Sequence, residues 1–144
     1  MRGVMFATGP RSPRLLLAED HPQTAEHFRK LLRVDFDVIA CVEDGAALVD
    51  AAARLSPDVI VTDIAMPGID GIEAVNRIRR NSPNARIILV TVHAQSMLVE
   101  VGLAAGALGY VLKDTAGDEL VAAVHAVLAG QRYVSGSLRG WEEG

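Results

Sequence analysis

Five polar side chains in this sequence follow apolar runs and are of types that bind metal ions or phosphoryl groups. They are Glu19, Asp20, Asp63, Thr91 and Lys113. Carboxylates that converge on one site repel one another and raise each other's pKa unless a cation lies between them. The economical cation is Mg2+, because this hard ion takes one or two carboxylates, keeps water ligands and shares a phosphate oxygen. The set therefore predicts a metal-assisted phosphoryl site, provided that the fold brings its members together.

Within this set, Asp63 is the best candidate for the nucleophile. It stands alone at the end of the predicted central strand, whereas Glu19 and Asp20 form an adjacent pair that is suited to sharing a metal. Lys113 supplies a point charge for a phosphoryl group or a carboxylate, and the Thr91 hydroxyl can donate to a phosphoryl oxygen. Together these residues are the parts needed for phosphoryl transfer onto a carboxylate.

Five short apolar runs alternate with segments of helical period, which predicts a parallel α/β sheet. The runs are LLLAED from Leu15, FDVIACV from Phe36, DVIVTD from Asp58, ARIILVT from Ala85 and LGYVL from Leu108. Continuous apolar strands are typical of a sheet that is covered by helices on both faces. We expect a flavodoxin-like (βα)5 doubly wound five-stranded parallel sheet with strand order 2-1-3-4-5. Its site should lie outside the carboxyl ends of the strands.

Local signals place the first three helices. The first helix should begin at Pro22, a residue favoured in the first turn. The second should follow Asp44 as N-cap and stop before Pro57, because the residue before a proline is pushed out of helical conformation. The third should end near Asn81.

The last two helices carry weaker or more local signals. The fourth, from about Gln95 to Ala105, contains Gly102, which costs about 1 kcal/mol relative to alanine in a helix interior. The fifth is predicted to begin with a capping box formed by Thr115 and Asp118. Gly130 should end this helix.

Composition narrows the class of protein. The chain has 144 residues, half of them apolar, which suits one globular domain. Its net charge of -4 and pI near 5.5 provide no basic field for a nucleic acid backbone. Uncharged apolar segments such as Val101 to Leu112 are shorter than the ~20 residues that span a bilayer. The single cysteine, Cys41, is predicted to be a buried thiol in a cytoplasmic protein.

From about Arg14 to Tyr133 the sequence resembles the receiver domain of bacterial two-component response regulators, and most closely the NarL/LuxR-like class. The matching segments are LLLAEDHP, VIVTDIAMPGIDGIEA, IILVT and AGALGYVLKD. Each is weak alone, but in this order and at predicted strand ends they are highly specific. The expected strand order is partly carried by this resemblance, since a chemotaxis regulator of the same family exemplifies it.

The resemblance implies a metal site and a phosphoacceptor. Asp63 would accept the phosphoryl group from a sensor histidine kinase. Glu19, Asp20, Asp63 and the backbone carbonyl of Ala65 would bind Mg2+ or Mn2+. Glu19 stands where many relatives carry aspartate, which preserves the charge and lengthens the side chain by one methylene.

The resemblance also implies a switch. Lys113 would contact the phosphoryl group, and the Thr91 hydroxyl would be drawn toward it. Tyr110 would turn inward behind Thr91 and change the surface of helix 4, strand 5 and helix 5. The domain would not be an enzyme beyond self-catalysed phosphoryl transfer and autodephosphorylation.

The expected organisation is a disordered arm over residues 1–13, a receiver domain over 14–135 and a linker or tail over 136–144. Partners would be a sensor histidine kinase and a second receiver in a homodimer, with no membrane. Control of transcription would pass through a C-terminal helix-turn-helix domain that this chain does not contain, since the eleven residues after Tyr133 are too few to form one.

Other functions stay open. The chain could be a stand-alone or phosphorylation-independent receiver that acts as an interaction module. An aspartate-nucleophile phosphatase of the haloacid dehalogenase kind would need a second acid where Ala65 stands. A flavin-binding module would need hydroxyls and glycine after the first strand, where the sequence reads EDHP.

Histidines and glycines receive simpler interpretations. The four histidines, His21, His27, His93 and His125, lack the ligand spacing of a zinc site. Of these, His21 could lie near the metal pocket without being a ligand. Gly68 and Gly71 are explained by turn geometry beside Pro67, since no Walker lysine accompanies them.

Overall fold

The structure is a computed structural model that describes residues 12–92 and 96–136, and only the backbone of residues 96 and 97. Six parallel strands form one sheet in the order β2-β1-β3-β4-β5-β6. In chain order the elements are β1 Arg14–Ala18, α1 Pro22–Leu32, β2 Asp37–Val42, α2 Gly45–Leu55, β3 Val59–Asp63, α3 Gly71–Asn81, β4 Ile87–Thr91, α4 Ser96–Ala105, β5 Gly109–Leu112, a 3-10 turn Lys113–Thr115, α5 Ala116–Leu128 and β6 Tyr133–Val134.

The predicted doubly wound sheet with order 2-1-3-4-5 is confirmed, and a sixth strand extends it. In β6, Tyr133 lies opposite Gly109 and Val134 lies opposite Tyr110. The sequence did not predict β6 because two residues are too few to show an apolar run or an alternation. Residues 1–11 and 137–144 of the predicted arm and tail lie outside the described residues.

Two apolar cores cover the two faces of the sheet. Side chains from β1, β3 and β4 point alternately into a core with α2, α3 and α4 and into a core with α1 and α5. All five residues of β3 and all five of β4 are buried. Burial on both faces explains why these strands read as continuous apolar runs.

Most predicted helix boundaries are confirmed. Pro22 opens α1, and Asp44 caps α2 by accepting a hydrogen bond from the Ala47 amide at 2.7 Å. The capping box predicted for α5 is wrong, because the Thr115 side chain makes no cap hydrogen bond and instead donates to the Glu119 carboxylate.

Gly102 has a packing role inside α4. A Cβ at this position would lie 2.7 Å from Leu89 Cδ1 and 3.5 Å from the ring of Tyr110. The glycine thus lets α4 pack closely over β4 and β5, which offsets its low helix propensity.

The predicted burial of Cys41 is wrong. Its side chain is exposed, because β2 is an edge strand and pairs with a neighbouring strand on one side only.

Among the described helices, none has the length and apolar character required to cross a membrane.

A single carboxylate fastens the end of the described chain to α5. Glu119 accepts hydrogen bonds from Tyr133 Oη at 2.9 Å, Ser135 Oγ at 2.8 Å and the Gly136 amide at 3.2 Å, in addition to that from Thr115. Burial alone would raise the pKa of Glu119, but these hydrogen bonds outweigh it and hold the pKa below its usual value. Glu119 therefore fixes β6 and the residues that follow it.

We expect Glu119→Gln to lower the free energy of unfolding by about 1–3 kcal/mol at neutral pH, because a carboxylate with four donors becomes an amide with one acceptor oxygen. A lowered folded-state pKa contributes stability above the unfolded value of about 4.3, and this contribution is lost as the pH falls through the folded value. Urea unfolding should therefore show the two proteins converging below about pH 4.

The matched control for this prediction is Asp118→Asn, which neutralises the exposed neighbouring acid of the same helical turn. It should change the free energy of unfolding by less than about 1 kcal/mol. Equal losses in both variants would show that the cause is the general charge of the turn and not the hydrogen bonds of Glu119.

Candidate functional site

The carboxyl ends of β1 and β3 bring the predicted acidic residues together. These strands are neighbours, with Ala18 opposite Thr62, so Glu19 follows β1 directly beside Asp63 at the end of β3. Glu19 and Asp63 are almost completely buried, with side chains 1% and 4% exposed. Asp20 is about one quarter exposed. A rigid sheet edge therefore holds all three carboxylates.

Lys113 reaches this edge from the far side of β4. It is the first residue after β5, and its Nζ lies 2.8 Å from Asp63 Oδ2 and 3.0 Å from Glu19 Oε1. The Lys113 side chain is 17% exposed. The Lys113 ammonium thus bridges two carboxylates, one directly after β1 and one at the end of β3.

The electrostatics of the bridge favour an additional cation. Burial raises the pKa of Asp63, and the nearby charge of Glu19 adds to this effect. The hydrogen bonds from Lys113 and the Ala65 amide act in the opposite direction but do not outweigh it. For Lys113, burial lowers the pKa, whereas its two carboxylate partners together raise it above its usual value. Burial thus opposes the charged form of Asp63 even with the Lys113 ammonium beside it, and a further cation near the carboxylate would favour the charged form.

Two buried oxygens in the site accept no hydrogen bond from the described residues. They are Glu19 Oε1 and Asp20 Oδ1. Lys113 lies near the first in ion-pair contact only, and His21 Nδ1 lies 3.3 Å from the second. Ligand atoms of Glu19, Asp20, His21 and Asp63 all lie within 4.8 Å of one another. Hard carboxylate oxygens with free hydrogen-bonding capacity are suitable ligands for Mg2+.

The loop after β3 supports the Asp63 side chain. The Ala65 amide donates to Asp63 Oδ1 at 3.2 Å. Thr62 Oγ1 donates to the Asp63 carbonyl at 2.9 Å, and the Gly71 amide donates to the Ile64 carbonyl at 2.7 Å. The role of the Ala65 carbonyl as a metal ligand stays a prediction.

Gly71 contributes to the site in a way that sequence reasoning missed. It is the first residue of α3, and a Cβ there would lie 2.2 Å from the Asp63 carbonyl oxygen and 2.9 Å from Ile64 Cα. Turn geometry does explain Gly68, whose φ is +77°, but it does not explain Gly71. Gly45, at the start of α2, is similar, because a Cβ there would lie 2.2 Å from the Ile69 carbonyl oxygen. Both glycines allow helix starts to pack closely against Asp63 and the loop that follows it.

Thr91 and Tyr110 lie together behind the acidic cluster. Thr91 ends β4 and is 1% exposed, and the Tyr110 side chain is fully buried in β5. Burial raises the pKa of Tyr110 to about 12, an effect that its hydrogen bond with Thr91 partly offsets. The two residues of the predicted switch pair are therefore in contact, with the aromatic ring inside the protein.

The histidines of the described residues fall into two groups, on the surface and beside the acidic cluster. His125 lies on the surface, where its Nε2 is 2.7 Å from Asp35 Oδ2. His27 is exposed on α1, and the position of His93 lies outside the described residues. His21 lies beside the acidic cluster, in line with the sequence-based expectation, and its ring contacts both members of the acidic pair.

The geometry can be compared with known proteins. The model of the protein family described as response regulator receiver domain matches residues 15–125 of this chain. The nitrate/nitrite response regulator protein NarP of Escherichia coli K12 is 37% identical over 124 residues, which cover 85% of this chain and 58% of NarP. The solved structure of a LuxR-family two-component response regulator from Aurantimonas sp. SI85-9A1 gives a TM-score of 0.87 at 36% identity, covering 92% of this chain and 98% of that one.

A further solved structure contains two RcsB dimers bound to two parallel DNAs. Its RcsB chain gives a TM-score of 0.83 at 29% identity, covering 92% of this chain and 69% of that one. This chain belongs to the family of response regulator receiver domains, which are signalling domains. Its relatives are of the NarL/LuxR type, and it spans a little over half the length of the curated relatives it matches.

Proposed function

We propose that this domain is a phosphorylation switch in which Asp63 accepts a phosphoryl group from a sensor histidine kinase. The observation that carries the proposal is the Lys113 bridge, with Nζ 2.8 Å from Asp63 and 3.0 Å from Glu19, beside buried carboxylate oxygens that lack hydrogen bonds. A carboxylate so placed has a fixed direction and a cationic neighbour for the incoming phosphoryl oxygens.

In the transfer step, a carboxylate oxygen of Asp63 forms a bond to phosphorus while the bond from phosphorus to the imidazole nitrogen of the kinase breaks. The leaving nitrogen keeps the electron pair of that bond and takes a proton from water. Lys113 also forms an ion pair with Glu19, and its ammonium can donate a hydrogen bond to a phosphoryl oxygen. The Ala65 amide, already bonded to Asp63 Oδ1, keeps the carboxylate from rotating.

Glu19, Asp20, Asp63 and the Ala65 carbonyl are the proposed ligands of Mg2+ or Mn2+. The fit rests on two buried oxygens without hydrogen bonds and on donor atoms within 4.8 Å of one another. The bound ion would neutralise the charge that develops on the phosphoryl oxygens.

The output follows from the neighbours of Asp63. A phosphoryl group adds about -1.5 to -2 charges and three acceptor oxygens, and the Thr91 hydroxyl is the proposed donor to one of them. In this structure the side chains of Thr91 and Tyr110 are hydrogen-bonded to each other. The Tyr110 ring lies 3.5 Å from the position that a Cβ on Gly102 would occupy. Movement of Thr91 would therefore act on Tyr110 and on the packing of α4 against β5, which is the proposed switch surface.

The proposed setting is a transcription regulator. The chain would form receiver homodimers and act on DNA through a separate C-terminal helix-turn-helix domain. Support comes from the coverage of its relatives and from RcsB, which was solved as dimers on DNA.

Two alternatives, an aspartate-nucleophile phosphatase and a flavin-binding module, have less support. The phosphatase alternative needs an acid two residues after Asp63, and Ala65 supplies none. The flavin alternative would place a ligand phosphate beside Glu19 and Asp20, which repel it.

The function is tested by the intact mass after incubation with acetyl phosphate, with and without Mg2+. We expect the chain to gain one phosphoryl group only when Mg2+ is present, and Asp63→Asn to gain none. The matched control, Asp37→Asn, removes an exposed aspartate at the start of β2 and should be labelled as the parent is. Labelling of Asp63→Asn would contradict the proposal by placing the phosphoryl group on another residue. No labelling of the parent chain would also contradict it and would favour a phosphorylation-independent interaction module.

A further inference from the structure

The Glu19 carboxylate requires more restraint than a shorter acid would. A glutamate side chain has one more rotatable bond than an aspartate, so fixing its carboxylate costs more conformational entropy. Nevertheless Glu19 is 1% exposed and its Oε1 faces Lys113 at 3.0 Å. Other contacts must therefore hold its second oxygen.

Both hydrogen bonds to that second oxygen come from His21. The His21 backbone amide donates to Glu19 Oε2 at 3.0 Å, and His21 Nδ1 lies 3.1 Å from the same oxygen. The same ring nitrogen lies 3.3 Å from Asp20 Oδ1. One imidazole thus contacts both members of the acidic pair.

The backbone directs this contact. His21 precedes Pro22, and a residue before proline is held in extended conformation, which is observed here with φ of -90° and ψ of 115°. In that conformation the amide and the ring both point back to Glu19. The His21 side chain is otherwise 68% exposed, so the ring covers the carboxylate from the solvent side.

We propose that His21 is a positioning residue of the metal site. Its ring holds Glu19 Oε2 so that Glu19 Oε1 stays directed toward Lys113. The inference rests on the proposed function, because it concerns the same Mg2+ site. Loss of the ring leaves Glu19 Oε2 with one hydrogen-bond donor, the His21 amide. The Glu19 side chain is then less ordered before the metal binds, so metal binding has to offset the entropy lost when that side chain is fixed. Contacts that orient a metal ligand in this way typically change metal affinity by about 10–100-fold.

The test is calorimetric titration of Mg2+ into the metal-free chain and its variants, at one fixed pH above the titration range of imidazole. We expect His21→Ala to bind Mg2+ about tenfold more weakly. In a Glu19→Asp background, where the carboxylate has one rotatable bond fewer, removal of His21 should change the affinity by less than about twofold. The control His27→Ala removes an exposed histidine of α1 and should bind as the parent does.

A second readout separates positioning from a general loss of structure. In His21→Ala the Mg2+ concentration that half-saturates labelling by acetyl phosphate should rise, while the maximal rate at saturating Mg2+ stays near that of the parent and circular dichroism shows a folded chain. Mn2+ should be weakened by the same factor as Mg2+. A larger loss for Mn2+ would show that His21 is itself a ligand, since imidazole favours transition metals, and would overturn the positioning role.

The failure of this inference is distinguishable from that of the proposed function. If the parent chain binds Mg2+ and His21→Ala binds it equally well, only the role of His21 is contradicted. Equal losses from His21 removal in the parent chain and in the Glu19→Asp background would also contradict it. If the parent chain binds no Mg2+, both proposals fall.

Discussion

Replacement of Lys113 by methionine is expected to lower the free energy of unfolding by roughly 3 kcal/mol, because it leaves two buried carboxylates without their shared ammonium. Asp63 and Glu19 are 4% and 1% exposed, so water cannot replace the lost contacts. Labelling by acetyl phosphate should also slow by about 10–100-fold, which is the effect of losing one charge-assisted hydrogen bond. Urea unfolding and intact mass over time measure the two effects.

A double-mutant cycle attributes this loss to the bridge. Adding Asp63→Asn to Lys113→Met should recover roughly half of the lost stability, since Glu19 is then the one carboxylate of the bridge left without its ammonium. The conservative variant Lys113→Arg keeps the charge and should lose less than Lys113→Met. A cost below about 1 kcal/mol for Lys113→Met, with no coupling to Asp63, would contradict the bridge as the feature that holds this site together.

The second large effect is expected from Gly71→Ala. The added Cβ would lie 2.2 Å from the Asp63 carbonyl oxygen, and backbone atoms cannot move aside as the end of a side chain can. Overpacking of this kind costs about 1–3 kcal/mol. The strand end would shift, and a displacement near 1 Å at the reacting group can slow a reaction by about 100-fold. We therefore expect the rate of Asp63 labelling to fall by about 100-fold. This loss should occur even if circular dichroism shows that the variant is folded.

Gly117→Ala is the matched control for Gly71→Ala. Gly117 lies in the first turn of α5 with nothing within 4 Å of the position that a Cβ would occupy. The substitution should therefore leave labelling unchanged and stabilise the helix by up to about 1 kcal/mol. If Gly71→Ala were labelled at the rate of Gly117→Ala, the close approach of α3 to Asp63 would have no role in the site.

The sequence predicted the parts of the fold that depend on long apolar runs. The strand Val59–Asp63 is buried along its whole length, so its residues show both the element and its central place in the sheet. Because the carboxyl ends of parallel strands lie at one edge of a sheet, the sequence alone assigns Asp63 and Thr91 to the same side. Pro22 and Asp44 similarly act within a single turn of helix, and their predicted positions are confirmed.

Features that depend on contacts across the chain escaped prediction. The partners of Glu119 at Tyr133 and Ser135 are 14 and 16 residues away, so the local capping pattern around Thr115 was misleading. The exposure of Cys41 follows from the edge position of β2, which an apolar run does not reveal. The need for glycine at position 71 arises only when α3 meets the end of β3.

The central claim, that Asp63 accepts the phosphoryl group, is tested most directly by locating the group. The chain is incubated with acetyl phosphate and Mg2+, and the acyl phosphate is then reduced with borohydride, which converts an aspartyl phosphate to homoserine. Peptide mass spectrometry should find homoserine at position 63 and nowhere else, and none when Mg2+ is omitted. A reduced residue at Glu19 or Asp20, or labelling without any reduced residue at position 63, would contradict the assignment.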